Sequence, residues 1–252
     1  MEPNQFVAEV YRRMQSRSVQ AKPFELPSDA RVAEVVREYE QYLPHDKSAP
    51  ILDIGFGLGW FMLACKKLGY TNVHGADFGV EYKKLLCDHG IVLHDIKNNI
   101  GDFLADQPEQ YAFIHMSHVI EHIPKYSLLW VVDALYYALK KEGILFLRTP
   151  NMEGPAANSQ YYVTLGHEYG FAGSNLESLF YICGFDDIKF HSPLPPATIK
   201  QKLGWVLRSM FVSESHIRHR LFGVNVGNQF GSELIMSAKR EDHPPLFDPK
   251  YR

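Results

Sequence analysis

A glycine-rich turn at residues 53–60 is the part of this sequence with the clearest chemical meaning. An apolar run ends at Asp53, and Gly55, Gly57 and Gly59 then alternate with bulky residues until a helical pattern begins at Trp60. This order predicts a buried strand, a tight turn and the start of a helix. Because glycine adopts backbone conformations that other residues avoid, the N–H groups of such a turn can closely approach a ligand. The position is the end of a strand, where open α/β sheets bind nucleotides.

The residues around the glycines favour a ligand without phosphate. A dinucleotide fingerprint has Gly or Ala where this chain has Trp60, because helix and strand must pack tightly at that point. A phosphate-binding loop needs Gly-Lys followed by Ser or Thr, and the first lysine after the turn is Lys66.

From this turn onward the chain resembles the class I methyltransferases that use S-adenosylmethionine, and it is most similar to their type 11 and type 23 subgroup. The matching segments are 53–60, 73–77, 93–96, 111–116, 118–124 and 139–151. With shorter matches at 166–168 and 184–185, the resemblance covers about residues 50–192, and the segments follow in order with the spacing of strands and helices. Within the subgroup the likeness is closest to bacterial enzymes that O-methylate sugars of surface glycans.

The resemblance implies a set of residues that contact S-adenosylmethionine. Asp53 would order the glycine turn and the amino end of the methionine part, and Asp77 would accept hydrogen bonds from the ribose diol. Asp95 would accept from the adenine amino group, against which Phe78 would lie. Helix capping by Asp77, a core position for Phe78 and an ordinary turn at Asp95 are the alternatives. The complete predicted cofactor site is Asp53, Gly55, Phe56, Gly57, Gly59, Asp77, Phe78, Asp95, Ile96 and Ser117.

Methyl transfer to an alcohol needs alignment of the reactants, exclusion of water and a base that removes the hydroxyl proton. We name His118, His122 and His167 as candidate bases, since they follow the predicted fourth and fifth strands at the mouth of the crevice. A structural or surface role is the alternative for each one. His115 lies within an apolar strand and is expected to be a core residue with satisfied nitrogens.

Residues 118–122 also spell H-x-x-E-H, the order of ligands in one class of zinc enzymes. That motif requires a continuous helix, and Pro124 biases the preceding residue away from helical geometry. We therefore predict neither a zinc protease nor a defined metal site. A divalent ion bound through His122, Glu121 or an aspartate, to help hold a sugar diol, stays open.

The alternation of apolar segments predicts an α/β fold of the Rossmann type. Strands separated by helices of ten or so residues imply parallel pairing, and the resemblance adds a seventh, antiparallel strand. Apolar spacing predicts helices at 5–16, 29–42 and 80–88, and a polar segment precedes the predicted strand at 111–116. The sheet would be seven-stranded and mostly parallel, with helices on both faces, N-terminal helices and an insertion before the last strand. We divide the chain into a helical cap (1–45), a methyltransferase domain (46–242) with a substrate-side insertion (193–229), and a tail (243–252).

Composition restricts the classes of function. The 252 residues carry a net charge of −3, which argues against a general nucleic-acid binder. Cys65, Cys87 and Cys183 are scattered without metal spacing, and no apolar run reaches the ~18 residues of a membrane span. We expect a cytoplasmic protein with packed, reduced thiols and no transmembrane segment; the sequence predicts no oligomeric state.

Residues 151–169 form a polar segment that we interpret as a lid over the acceptor, without secondary structure. Tyr161, Tyr162, Tyr169 and the nearby Phe171 would offer flat faces to a sugar or a ring. By resemblance a sugar or glycan precursor is the leading acceptor, and small phenolic or quinone-type molecules compete with it.

A basic group in the insertion could contact an acceptor phosphate, or could be a solvated face; it comprises Arg208, His216, Arg218, His219 and Arg220. Two hypotheses of other classes remain, a nicotinamide-dependent oxidoreductase and a cofactor-binding module without catalysis.

Overall fold

A seven-stranded sheet forms the centre of the protein in a computed structural model, which describes residues 9–10, 13, 25–78, 81–97, 99–154, 157–193 and 231–241. The strands lie in the order β3-β2-β1-β4-β5-β7-β6. They are β1 Ile51–Ile54, β2 Val73–Asp77, β3 Ile91–Asp95, β4 Tyr111–Ser117, β5 Leu139–Pro150, β6 Phe185–Phe190 and β7 Glu233–Arg240. β1 to β5 pair in parallel, and β7 runs antiparallel between β5 and β6. The predicted fold is confirmed.

Helices cover both faces of the sheet. They are α1 Asp29–Tyr39, α2 Trp60–Lys67, α3 Ile100–Ala105, α4 Leu128–Ala138, α5 Ala157–Tyr161 and α6 Gly173–Ile182. Alternate residues of each central strand point to opposite faces, so Ile51 packs in the cluster with α1 and α2 while Leu52 packs with α4 and α6. Burial on both faces explains why the strands read as continuous apolar runs.

Helix α1 lies over the sheet beside α2 because its apolar residues share one stripe. Ser28 caps its first turn by accepting a hydrogen bond from the Arg31 N–H at 3.4 Å. Val32, Val35 and Tyr39 then recur at helical spacing and are buried. This packing places the end of α1 above the carboxyl ends of β1 and β4, where the glycine turn begins.

Several predicted elements were wrong in detail. The helix expected at 80–88 is a 3-10 helix, Glu81–His89. The polar segment before β4 contains α3, because the Asn99 side chain accepts from the Asp102 N–H at 2.8 Å and caps a short helix. The lid segment contains α5. Cys87 is exposed, although Cys65 and Cys183 are buried as expected; all three are free thiols.

Parts of the predicted organisation lie outside the described residues: most of the first N-terminal helix at 5–16, the insertion with its basic group except position 193, and the tail. Among the helices that the structure does describe, none combines the length and the apolar character needed to cross a membrane.

Candidate functional site

The glycine turn bends between β1 and α2 with all three glycines in the left-handed region, at φ values of 68° for Gly55, 51° for Gly57 and 78° for Gly59. A Cβ on Gly55 would lie 2.4 Å from Val119, and one on Gly59 would lie 2.8 Å from Leu86, so both positions are packed against the protein. A Cβ on Gly57 would meet nothing within 4 Å. The backbone of Gly57 therefore faces open space in which a ligand can lie.

Asp77 fastens this turn to the end of β2. Its carboxylate accepts hydrogen bonds from the Gly57 N–H at 3.2 Å and the Phe78 N–H at 2.7 Å. The side chain is buried, and Asp95 stands directly beside it in the register of β2 and β3. The Ile96 N–H donates to the Asp77 carbonyl at 3.0 Å. The structure thus brings together the predicted adenosine-binding residues along one edge.

A cavity of about 430 Å³ opens between the glycine turn, α1 and the carboxyl ends of β4 and β5. Its walls combine aromatic rings with eight ionisable side chains: Arg31, Glu38, Tyr39, Asp53, His115, His118, Arg148 and Glu233. Six predicted site residues line it, namely Asp53, Gly55, Phe56, Gly57, Ser117 and His118. The other predicted residues, Gly59, Asp77, Phe78, Asp95, Ile96, His122 and His167, are not among its described lining residues.

A chain of hydrogen bonds runs under the cavity from Arg148 to Asp53. One Arg148 nitrogen donates to the Tyr39 hydroxyl at 3.2 Å, and this hydroxyl lies 3.1 Å from Nε2 of His115. Nδ1 of His115 lies 2.7 Å from the Asp53 carboxylate, which can only accept, so His115 carries its proton on Nδ1. Burial raises the pKa of Tyr39, which keeps its proton to donate to His115. His115 is a satisfied core residue, as expected.

Arg148 also forms ion pairs with Glu38 of α1 and Glu233 of β7. Its Nε, although buried, has no hydrogen-bond partner among the described residues. Leaving a buried donor unpaired costs about 1–3 kcal/mol. An oxygen of a molecule bound in the cavity would satisfy this donor.

His118 stands at the mouth of the cavity between two carboxylates. Its Nδ1 lies 3.2 Å from Glu121, and its Nε2 lies 3.0 Å from Glu233. Its backbone has a φ of 55°, which is uncommon outside glycine and is found mostly at turns and functional sites. The turn directly after β4 therefore points this ring back toward the cavity.

The two carboxylates hold a proton on His118. Hydrogen bonds to Glu121 and then to Glu233 raise the pKa of His118 to about 9, against the effect of burial. Burial alone would raise the pKa of Glu233, but the hydrogen bond from His118 and the charge of Arg148 lower it to about 2. In this arrangement His118 is a cation at neutral pH, and it can remove a proton from an acceptor only after losing its own.

The other two candidate bases lie together on the far side of Glu121. The rings of His122 and His167 are 4.7 Å apart between centroids. His122 belongs to the 3-10 turn Ile120–His122, and Ile123 is extended at φ −81° and ψ 125° before Pro124. The continuous helix of a zinc protease is absent from this described segment, as the proline predicts.

The sequence interpretation missed four charged residues of the cavity: Arg31, Glu38, Arg148 and Glu233. Arg31 and Glu38 share one face of α1 with Val35, at spacings of four and three residues, and that pattern was visible. Arg148 was visible as the single charge in the apolar run 144–149. Glu233 carried no signal, because only the pairing of β7 with β5 brings it to the site.

The prediction that Phe171 offers a flat face to the acceptor is wrong, because its ring is wholly buried and contacts Tyr169 within the core. Tyr162, in contrast, is exposed.

Comparison with known proteins identifies the family. Residues 28–188 match the family model described as a methyltransferase domain, and this match covers more than half of the chain. The chain belongs to this methyltransferase family. The predicted family is thus confirmed, and membership counts against the nicotinamide-dependent alternative.

Two curated relatives of this methyltransferase are ubiquinone biosynthesis O-methyltransferases. The protein of Bartonella quintana (strain Toulouse) is 31% identical over 103 residues, which are 40% of this chain and 41% of the relative. The protein of Xylella fastidiosa (strain 9a5c) is 33% identical over 107 residues, which are 41% of this chain and 42% of the relative. The chain therefore spans about two fifths of the length of these relatives.

Solved structures share the fold of this methyltransferase. A SAM-dependent methyltransferase from Archaeoglobus fulgidus superimposes with a TM-score of 0.59 at 19% identity, over 83% of this chain and 94% of that one. Haemonchus contortus phosphoethanolamine N-methyltransferase 2, in complex with S-adenosyl-L-methionine, gives 0.54 at 15% identity, over 83% and 53%. At these identities the likeness concerns the fold.

The environment of His118 predicts an unusual titration. In metal-free buffer, the nuclear magnetic resonance shift of its ring protons should titrate near pH 9, and Glu233→Gln should move that midpoint down toward 6.5, because one hydrogen-bonded carboxylate is lost. His118→Asn supplies the assignment, since Asn tolerates a positive φ. A wild-type midpoint at 6.5 would contradict the two-carboxylate environment.

The raised pKa of His118 also predicts how the stability of the protein changes with pH. Because the folded-state pKa of His118 lies above its unfolded value, its contribution to stability is complete below pH 6.5 and is lost as pH rises through about 9. The free energy of unfolding of wild type should exceed that of His118→Asn at pH 6 and should converge with it above pH 9.

Proposed function

We propose that this chain is an S-adenosylmethionine-dependent methyltransferase that methylates a hydroxyl oxygen of a small molecule. The observation that carries the proposal is the cavity of about 430 Å³, which joins the open side of Gly57 to a polar mouth holding His118. A methyl donor at the turn and an acceptor at the mouth would share one enclosed space. Membership of the methyltransferase family supports the same assignment.

The turn and the strand ends of this chain fit the cofactor. Gly57 would admit the methionine part close to the backbone, with Asp53, Phe56 and Ser117 around it. When bound, S-adenosylmethionine supplies an electrophilic methyl group on a sulfonium. The Nε of Arg148, a lining residue, has no hydrogen-bond partner among the described residues and would donate to an oxygen of the bound ligand.

The adenosine part would lie along the edge formed by the ends of β2 and β3. A carboxylate can accept about four hydrogen bonds, so Asp77 can order the turn and also accept from a ribose. Asp95 and Ile96, beside it in the sheet, would meet the adenine, with Phe78 against its face.

The mouth of the cavity would hold the acceptor. Glu38 and Glu233 present carboxylates, and Arg31 and Arg148 present donors. The Arg31 guanidinium is itself held 4.4 Å from the centre of the Trp60 ring. Within this polar frame His118 is the candidate base, because its ring is the ionisable group that lies both at the mouth and at the end of β4.

Two acceptor classes have support. Carboxylates and guanidinium groups that converge on one cavity suit the several hydroxyls of a sugar or glycan precursor, which we propose first. The names of the curated relatives favour a phenolic or quinone-type acceptor instead. A phenol ionises near pH 10, as tyrosine does, and so depends less on a base than a sugar hydroxyl.

Cofactor binding is tested by a matched pair of glycine variants. Gly57 and Gly69 both have a positive φ and open space where a Cβ would lie, so Ala at either position should cost a similar ~1–2 kcal/mol of backbone strain. Only Gly57→Ala should weaken S-adenosylhomocysteine binding in calorimetry, by tenfold or more, because its methyl group enters the ligand space.

Equal affinity for S-adenosylhomocysteine in both glycine variants would contradict cofactor binding at this turn. A wild-type protein that binds NADH and ignores S-adenosylhomocysteine would overturn the proposed function itself.

Acceptor class and the role of His118 are tested together. Wild type is incubated with S-adenosylmethionine and either nucleotide sugars or catechols, and methylated products are identified by mass spectrometry. With a sugar acceptor, His118→Asn should lower kcat by about 10²–10⁴-fold, because a general base contributes that much. Its affinity for S-adenosylhomocysteine should stay unchanged.

His191→Asn provides the control, since His191 lies outside the described lining of the cavity. Full turnover in His118→Asn would remove His118 as the base. Methylation of catechols alone would transfer the proposal to the phenolic class.

A further inference from the structure

Three ligand-type side chains converge behind the acceptor mouth. One ligand atom from each of Glu121, His122 and His167 lies within 4.8 Å of the other two. Ligands at about 2.0–2.2 Å from a tetrahedral ion are about 3–4 Å apart, so the side chains would need to move together by about 1 Å. Glu121 and His122 are neighbours in sequence, whereas His167 comes from the loop after α5.

Both imidazoles are oriented in the way that metal-binding histidines are. Nδ1 of His122 lies 2.7 Å from the Gly166 carbonyl, and Nδ1 of His167 lies 2.9 Å from the Tyr161 carbonyl. A carbonyl oxygen can only accept, so each ring carries its proton on Nδ1 and, when neutral, its lone pair on Nε2. A hydrogen bond from the second ring nitrogen to a backbone carbonyl is the usual way in which proteins fix a metal-binding imidazole.

The Glu121 carboxylate is also held in place by hydrogen bonds. It is 2% exposed, and its two oxygens accept hydrogen bonds from the Thr149 hydroxyl at 3.1 Å and from His118 at 3.2 Å. A buried carboxylate needs positive charge or hydrogen bonds around it, and ligating carboxylates typically have such partners.

The backbone holds the two halves of the cluster together without an ion. The N–H groups of Glu168 and Tyr169 both donate to the Glu121 carbonyl, at 2.8 and 3.1 Å. With the bond from His122 to Gly166, three hydrogen bonds fasten the loop to the 3-10 turn. The ligand atoms are thus brought together by contacts that do not depend on a metal.

From this convergence we infer that Glu121, His122 and His167 form a binding site for a first-row transition-metal ion such as Zn²⁺. Two imidazoles and one carboxylate suit such ions, whereas Mg²⁺ and Ca²⁺ prefer oxygen ligands alone. Three protein ligands also leave a position open to water or to an oxygen of another molecule. Glu121 contacts both this site and His118, so the ion would lie directly behind the acceptor mouth.

This assignment gives His122 and His167 a role other than that of a base. An imidazole whose lone pair is bound to a metal cannot accept a proton from an acceptor. His118 is then the remaining candidate base among the three histidines. The inference concerns metal binding by the protein alone, so it can fail or hold independently of the proposed methyl transfer.

The test is calorimetry of Zn²⁺ binding to protein first stripped with EDTA and freed of chelator. Wild type should take up one Zn²⁺ per chain in a saturable step, and His167→Gln and His122→Gln should each weaken that step by at least tenfold. His94→Gln is the matched control: His74 and His94 form a second pair of neighbouring histidine rings, with centroids 5.3 Å apart, outside the cluster. This control should bind as wild type does.

A second readout uses wild type only and so does not depend on the folding of a variant. Co²⁺ added to the metal-free protein should give the intense visible absorption of a four- or five-coordinate site, and Zn²⁺ should displace it. Absence of a saturable 1:1 step in wild type would overturn the inference. So would equal Zn²⁺ affinity in wild type and the folded His167→Gln protein.

Discussion

The ion pairs of Arg148 are the constraint on which the mouth of the cavity depends. This guanidinium rises from the end of β5 and binds Glu38 of α1, the Tyr39 hydroxyl and Glu233 of β7. Three parts of the chain that are far apart in sequence therefore meet at one side chain. Its guanidinium holds five N–H donors in a fixed plane, whereas a lysine has three donors on one rotating ammonium group.

The meeting of Arg148 with Glu233 follows from the topology of the sheet. β7 is inserted antiparallel between β5 and β6, so Glu233, its first residue, pairs in register with Pro150 at the end of β5. A parallel strand in that place would start at the opposite edge. The reversed strand is thus what supplies a carboxylate to the same edge as the glycine turn, where it meets Arg148 and His118.

The sequence predicted the geometry of the glycine turn, the proposed cofactor half of the cavity, far better than that of the proposed acceptor half. Residues 53–60 form a local unit of strand, turn and helix, so their spacing alone indicates their geometry, and the fold agreed strand by strand. The acceptor half is built from pairs such as Arg148 with Glu38 and with Glu233, which are 110 and 85 residues apart. Contacts over such separations depend on strand order, and one sequence without the structure does not show which charges will meet.

The H-x-x-E-H pattern is a second case in which spacing along the sequence does not give the arrangement in the structure. Its spacing has meaning on a continuous helix, and the 3-10 turn with extended Ile123 removes that meaning. The residues nevertheless separate into two groups: His118 turns to the cavity through its positive φ, and His122 faces His167. Only the loop after α5, fastened to the Glu121 carbonyl, creates the second group.

Different contacts hold the two opposite walls of the cavity, the glycine turn and helix α1. The glycine turn has little freedom for change, because Asp77 accepts from the Gly57 N–H, Gly55 packs against Val119, and His115 bonds to Asp53. The opposite wall is the face of α1 that carries Arg31 and Glu38, and the helix is anchored by its buried stripe and by Arg148. Arg31 lies beside the buried stripe and can vary without disturbing the core, whereas Glu38 is held by its ion pair with Arg148. The part of α1 around Arg31 is thus the wall of the cavity that can change while the glycine turn and the ion pairs of Arg148 stay in place.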